Sequence, residues 1–570
     1  MPGFCISNMA MPEKLFNRYP ERCTQGILRC EKYCIQWNTL NKYMDDKVFE
    51  QDDEYVYVLE GVLLNKKDLL KKYCVNSVKL LMKKMYEEIG DKFCQEFRGA
   101  FSGGIYSKTS DKWLLFTDQI GTKPLFYYVD EFGMLTCGTQ LNYITDTMKK
   151  SGFARNADKH GIGCMLTYGY LIDEHTGVEG VKRLYPGDYL VYQKGEFYKN
   201  SYYFISKKEF EQASEDEYIE LLDNAFVNAV DRLLKKDAEY GYRSVIDISG
   251  GVDSRMIAYT AKRLKCTNAV TISYSQSGSR EYQVAQEIAN NLGYDFYYKS
   301  MDNAKCLYQI DENVQMNNGS AIYDGITGGK DMLELLNAHD FGIEMTGLLG
   351  DVYDGSMDVG NGEGKPTLDY PKYRASQVLP YDEQNYSNVM ERFENNELFW
   401  FYTRGMLFGM ATFQIRQNYV EPLTPFGDVE FMEVYLSIPW DVRVKDKLLL
   451  KWLVKKYPEA SKIMYAATGV APADEFTVFG KIKKIIKFVN QEVHRQLHIM
   501  HRGYQMTPYA YWCKLYPEIE QFAQEYYKEH INRVDSGIKE KIDKLMNVET
   551  EFEDKSPALT VLSYYKIFLD

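Results

Sequence analysis

Short apolar runs between turn signals dominate the first 200 or so residues. Tyr55-Val56-Tyr57-Val58-Leu59 and Trp113-Leu114-Leu115-Phe116 are two of them, and they predict strands. One stretch at about 66–90 reads as helix, closed by Gly90. Pro186-Gly187-Asp188 marks a turn before the strand Tyr189-Leu190-Val191-Tyr192, and the charged segment 206–217 reads as a linker. From 218 the period changes: Tyr218, Leu221, Leu222, Ala225, Phe226, Ala229, Val230, Leu233 and Leu234 recur at helical spacing. Strands at 244–248, 268–274, 295–299 and 341–346 alternate with helices at 254–264 and 281–292, the latter stopped by Gly293. That alternation predicts a parallel α/β sheet, whose ligands bind at the carboxyl ends of the strands. Residues 355–398 read as a long loop or insertion, and 400 to the end mostly as helix, with no internal repeat.

Composition adds bounds. The 570 residues allow about three domains. A hydrophobic share of 45% and a charged share of 26% exclude a disordered or collagen-like chain. The net charge of -13 argues against a broadly basic nucleic-acid surface. Eleven scattered cysteines without a CxxC pair fit reduced thiols better than a disulfide framework or zinc ribbon. The start, MPGFCISNMAMPEKLF, lacks the pattern of a signal peptide, and no run approaches the ~18 apolar residues of a membrane span. A cytoplasmic protein is expected.

The chemistry concentrates in Ile246-Asp247-Ile248-Ser249-Gly250-Gly251-Val252-Asp253-Ser254-Arg255, an apolar strand, then SGGVDS, then a helix. Gly250 and Gly251 let backbone N–H groups approach an anion, and the helix dipole points at the same place. Ser249 and Ser254 add hydroxyl donors. Asp253 would repel phosphate unless it holds a cation, which points to Mg2+. A Walker A reading of Asp324–Asp331 fails, because Asp324 stands where the first Gly should be and Asp331 where Ser or Thr should be.

SGGVDS resembles the PP-loop of ATP pyrophosphatases, and nearly the whole chain resembles the asparagine synthetase family, with its divergent β-lactam synthetase and lasso-peptide cyclase relatives. Phe97-Arg98-Gly99-Ala100-Phe101, Asp118 through Tyr127, Arg183-Leu184-Tyr185-Pro186-Gly187, Thr346-Gly347-Leu348-Leu349-Gly350-Asp351 and Thr424-Pro425-Phe426-Gly427-Asp428 carry that likeness, in family order. The resemblance implies residues 1–205 as a class II glutamine amidotransferase-like domain, an α+β sandwich of two antiparallel sheets between helices. It implies 206–570 as an α/β PP-loop synthetase domain with a parallel sheet and a helical C-terminal part. It implies ATP and Mg2+, activation of a carboxylate as acyl-adenylate, and attack by an amine. By position, Ile248, Ser249, Gly250, Gly251, Asp253, Ser254, Tyr274, Thr346 and Gly347 would bind the nucleotide, Asp253 and Asp351 the metal, and Lys447 would be the catalytic lysine.

The chain also departs from that pattern. Pro2 stands where the family's glutaminase has its nucleophilic cysteine, Cys5 is nearby, and Glu60-Gly61-Val62 replaces a glutamine-holding Asn-Gly-Glu. Proline carries no nucleophile, so glutamine hydrolysis is expected to be lost. Leu348 and Val352 replace acidic residues of the family pattern. That leaves any general base to come from elsewhere, with Tyr353 and Asp354 as weak candidates. His494, His498 and His501 read as a polar helix face rather than a metal site. The basic run Lys481–Lys487 reads as a solvated edge. The expected function is an amide-forming ligase using ammonia or a substrate amine on a small-molecule or peptide carboxylate. Intramolecular ring closure and a nucleotide-binding pseudo-enzyme are the alternatives. Neither nucleic acid nor membrane is expected as a partner, and a homodimer is allowed.

Overall fold

The computed structural model describes residues 2–570 apart from 209–212, 326–327, 338, 354–360, 370–373, 381–383, 476, 478–479, 481, 483–504 and 548. The histidines at 494, 498 and 501, the lysines of the basic run and Asp354 lie outside the described residues.

Residues 3–201 build two six-stranded antiparallel sheets. With strands numbered along the chain, the first holds β1 (Gly3–Ser7), β2 (Cys23–Arg29), β3 (Cys34–Leu40), β8 (Phe126–Val129), β9 (Leu135–Gly138) and β10 (Lys182–Arg183), in the order β10-β8-β9-β1-β3-β2. The second holds β4 (Val48–Gln51), β5 (Tyr55–Leu63), β6 (Gly99–Ser107), β7 (Lys112–Thr117), β11 (Asp188–Gln193) and β12 (Glu196–Ser201), in the order β12-β11-β7-β6-β5-β4.

The burial explains the sequence pattern. On β5, Val56 and Val58 point into the core between the sheets, with Ile6, Ile35, Trp113 and Leu115. Tyr57 and Leu59 point the other way, onto Leu81, Met82 and Met85 of the helix Val78–Ile89. Both faces are buried, so the strand reads as a continuous apolar run rather than an alternation. The single helix expected at 66–90 is two, Lys66–Lys72 and Val78–Ile89, and the Ser77 hydroxyl caps the second by accepting from the Leu80 N–H. Helices Leu141–Lys150 and Lys159–Tyr168 cover the first sheet, with Ile144, Met148, Ile162 and Met165 in one cluster with Phe126. The sandwich of two sheets between helices is as expected.

The expected linker runs into a helix. Residues Glu215–Tyr240 form one long helix whose first turn is Glu215, Asp216 and Glu217. Ser214 and Glu217 close a reciprocal capping box at its start. The acidic residues that made the segment read as linker sit at the positive end of the helix dipole.

The third sheet is parallel and holds β13 (Arg243–Asp247), β14 (Ala269–Ser275), β15 (Asp295–Ser300), β16 (Phe341–Met345) and β17 (Glu421–Leu423). Its order is β15-β14-β13-β16-β17. The chain steps outward from β13 to β15 and then returns to the other side of β13. The switch point therefore falls between β13 and β16, where open α/β sheets bind ligands. Strand β17 adds a three-residue edge inside the mostly helical C-terminal region. Among the described residues, no helix is long and apolar enough to cross a membrane.

Candidate nucleotide site

The two motifs of the second half leave adjacent strands at the switch point. SGGVDS follows β13, and Thr346–Asp351 follows β16. Between them lies a cavity of about 370 Å³, within the range of small-molecule sites. Ile248, Ser249, Gly251, Asp253, Ser254, Tyr274, Thr346, Gly347 and Asp351 all line it. Gly250 lies behind the lining. Its N–H donates to Glu281, and a Cβ there would fall 2.2 Å from the Ala466 Cβ, so the loop can close only with glycine at this point.

The loop is held by its own side chains. The Ser249 N–H donates to the Ser254 hydroxyl at 3.0 Å, and the Gly251 N–H donates to the Ser249 hydroxyl at 3.1 Å. Arg255, the third residue of the helix Asp253–Arg263, is fully buried and donates to the carbonyls of Ala460, Ile463 and Met464. Those bonds pin the 460–464 segment, and with it Ala466, against the loop. The donors that would meet a phosphate are thus preorganised, and each already holds a replaceable partner.

Asp253 and Asp351 come together because the two turns pack tightly. A Cβ at Gly350 would fall 2.3 Å from the Asp253 Cγ. Burial pushes the Asp253 carboxyl far above the usual carboxylate range, and the charges of Asp351 and Asp446 add to the shift. Burial likewise raises Asp351, against the pull of the Arg404 guanidinium. Asp253 Oδ1 is buried with no hydrogen-bond partner among the described residues. Two converging carboxylates, one with a buried open oxygen, are a donor set of the kind that suits a hard divalent cation, so these residues fit Mg2+.

Lys447 stands apart. It is exposed at the start of the helix Lys447–Lys456, outside the cavity lining, and its Nζ lies 3.5 Å from the Asp441 carbonyl. Its neighbour Asp446, in a left-handed conformation at φ 58°, is the one whose charge reaches Asp253.

Several residues of the site escaped the sequence reading. Glu281, at the start of the helix Arg280–Leu292, lines the cavity and caps the Gly250 N–H. Arg404 stacks on Phe408 at 3.6 Å, on a π-wound segment, Phe401–Phe408, and its Nε is buried without a hydrogen-bond partner among the described residues. Arg416 joins Asp247 at 2.5 Å and Glu344 at 2.6 Å, and it also donates to the Tyr274 hydroxyl. Only the placement of Asp247 beside the motif signalled any of this in the sequence.

The residues expected to mark a lost glutaminase are also placed. Cys5 is fully buried in β1, and desolvation pushes its thiol up. The Pro2 carbonyl accepts from the Gln140 amide at 3.0 Å. Glu60 is buried on β5, 3.4 Å from Lys47 and 3.7 Å from Lys123. Those lysines also reach Glu421 of β17, at 3.7 and 2.9 Å, so a buried network of two cations and two anions joins the second sheet to the third. Elsewhere, His160, Asp173 and His175 cluster at metal-ligand range, but the Lys182 ammonium lies 2.9 Å from both His175 nitrogens and takes the cation's place.

Comparison with known proteins agrees with this geometry. Residues 42–203 match a glutamine amidotransferase domain, and residues 221–352 match asparagine synthase. Asparagine synthetase B of Escherichia coli, glutamine-hydrolyzing, is 25% identical over 224 residues, which is 37% of this chain and 34% of that protein. Asparagine synthetase 2 of Bacillus subtilis, also glutamine-hydrolyzing, is 24% identical over 287 residues, 46% of this chain and 35% of that protein. The amidase chry2 of Gibberella zeae is 23% identical over 238 residues, 38% and 34% of the two chains. The chain thus spans about a third of the length of these curated relatives. An amidotransferase model followed by an asparagine synthase model, laid over the sandwich and the parallel sheet that carry the corresponding motifs, places the chain in the asparagine synthetase family.

Proposed function

We propose that this protein is an ATP-dependent, AMP-forming amide ligase that activates a carboxylate and passes it to ammonia or a substrate amine. The observation that carries the reading is the single cavity in which the phosphate-type loop, Ser249 through Ser254, meets the paired carboxylates Asp253 and Asp351. In this reading Ser249, Gly250, Gly251 and Ser254 hold the pyrophosphate, and Gly250 exchanges Glu281 for a phosphate oxygen. Ile248, Tyr274, Thr346 and Gly347 hold the nucleoside. Asp253 and Asp351 would hold Mg2+, which when bound screens the charge on the polyphosphate.

A carboxylate oxygen of the substrate attacks the α-phosphorus, and the bond to pyrophosphate breaks. The electron pair stays on pyrophosphate, whose charge the loop amides stabilise once they exchange their present partners for phosphate oxygens. The amine then attacks the acyl carbon, the acyl carbon–oxygen bond breaks, AMP departs with the bridging oxygen that came from the carboxylate, and the amine nitrogen loses a proton. Lys447 approaches from the rim to balance charge on the α-phosphate.

Residues 1–205 act as a structural domain without glutaminase activity, and 206–570 as the catalytic domain. The buried Cys5 thiol, raised by desolvation, supports that division, since a nucleophile has to be both exposed and ionisable. The nitrogen is then supplied directly. ATP–pyrophosphate exchange across a broad panel of carboxylates tests the proposal. Exchange that depends on one class of acid supports it. ATP binding without exchange for any acid points instead to a pseudo-enzyme.

A further inference from the structure

The cavity floor holds a charged group that the reaction as described leaves unused. Asp247 ends β13, two residues before Ser249, and lines the cavity. One of its oxygens, Oδ2, accepts from Arg416 at 2.5 Å. The other, Oδ1, is buried and has no hydrogen-bond partner among the described residues. A buried carboxylate oxygen without a donor is costly, by about 1–3 kcal/mol for such a group. The arrangement calls for a partner that arrives with the ligand.

The chemistry of that partner follows from the neighbours. Arg416 is fixed from three sides, by Asp247, by Glu344 on the adjacent strand β16, and by the Tyr274 hydroxyl from β14. Burial and the charge of Asp247 push the Glu344 carboxyl up, against the pull of the Arg416 guanidinium. Arg416, bonded to both carboxylates, offsets the charge of Asp247. A cation gains little there and a phosphate is repelled by the nearer carboxylate. A neutral N–H or O–H donor is what the open oxygen fits. Position agrees: two residues along an extended chain is about 6–7 Å, which sets Asp247 one step back from the phosphate loop. Tyr274, bonded to Arg416, and Thr412 also line the cavity.

We infer that Asp247 reads the nucleoside, with Oδ1 accepting a hydrogen bond from an amino or hydroxyl group of the bound nucleotide while Arg416 holds the carboxylate in place. The inference rests on the cavity being the ATP site. The donor is either the adenine N6 amino group or a ribose hydroxyl, and analogues separate the two. A site built around such a bond rejects a ligand that lacks the donor by orders of magnitude, because its own polar group is left unpaired.

The test is calorimetric binding of MgATP, MgITP, Mg-2′-deoxyATP and Mg-3′-deoxyATP to the full chain and to Asp247→Leu and Asp247→Asn. ITP lacks the N6 amino group; the deoxy analogues each lack one hydroxyl. Wild type is expected to bind one of the three analogues about 30-fold or more weaker than MgATP. Asp247→Leu is expected to bring that ratio below about threefold. Asp247→Asn, nearly isosteric, covers the case in which Leu disturbs folding, and is expected to give an intermediate ratio. If wild type binds all four alike, or if the variants keep the wild-type ratio, Asp247 only anchors Arg416 and the inference falls while the nucleotide site stands. If wild type fails to bind MgATP at all, the nucleotide reading and this inference fall together.

Discussion

Three carboxylates, Asp253, Asp351 and Asp446, lie within electrostatic reach of one another at the SGGVDS loop, and the structure predicts that removing one charge has opposite effects on stability and binding. Asp253 feels both neighbours: burial and then the like charges of Asp351 and Asp446 raise its pKa. A carboxyl raised in the folded state binds more protons there than in the unfolded chain. Stability of the metal-free protein therefore falls as pH rises from the usual carboxylate range through the shifted value. Asp253→Asn removes that loss. A like charge a few ångströms away at an effective dielectric of about 20 is worth about 2–3 kcal/mol. For a chain of 570 residues the unfolding entropy is about 1.2 kcal/mol per kelvin, so the variant should melt about 2 °C higher without metal. With MgCl2 and ATP the difference closes. Wild type gains about 2.7 kcal/mol at a hundredfold excess over Kd, again about 2 °C, and the variant gains nothing. Differential scanning fluorimetry at pH 7.5, with and without MgATP, reads both halves. A variant that melts lower than wild type without metal, or that gains as much from MgATP, would refute the reasoning.

Other expectations follow from particular contacts. Glu281→Gln removes the charge that holds the Gly250 N–H, so magnesium pyrophosphate should bind about tenfold tighter by calorimetry, a gain of about 1.4 kcal/mol; weaker binding would make Glu281 a support of the loop rather than its stand-in anion. Lys123→Ala leaves Glu60 and Glu421 to share Lys47 alone in the interface between the sheets, and a cost of about 3–5 kcal/mol should appear as a melting temperature a few degrees lower. Lys447→Ala lies on an exposed side chain and should leave the melting temperature unchanged, while kcat for exchange drops by about 10²–10³ if the lysine balances the α-phosphate. Cys5→Ala should leave amide formation unchanged, and wild type should release no glutamate from glutamine; glutamate release that Cys5→Ala abolishes would restore the glutaminase.

The local parts of this site were legible in the sequence and the long-range parts were not. SGGVDS announced itself because strand, glycines and helix start are contiguous, and their spacing alone implies an anion cradle. Asp118 shows the same economy: one buried carboxylate accepts the N–H groups of Phe101, Ile120, Thr122 and Lys123, which is why its motif reads as a unit. Arg416 could not be read that way. Its bond to Asp247 spans 169 residues, and nothing near Arg416 marks it as the cation of a cavity floor. Strand β17 was hidden for a different reason. Three residues give no period, and the helices on either side carry the pattern. Asp446 was passed over in favour of the lysine beside it, because a left-handed backbone position that turns a carboxylate toward Asp253 leaves no trace in composition.

The central claim is that a carboxylate attacks ATP at the α-phosphorus, and isotope transfer tests it most directly. With a substrate carboxylate labelled with oxygen-18 and the acceptor amine present, one labelled oxygen should leave with the nucleotide. The account predicts oxygen-18 in AMP and none in pyrophosphate. Label in inorganic phosphate, with ADP as the nucleotide product, would contradict it.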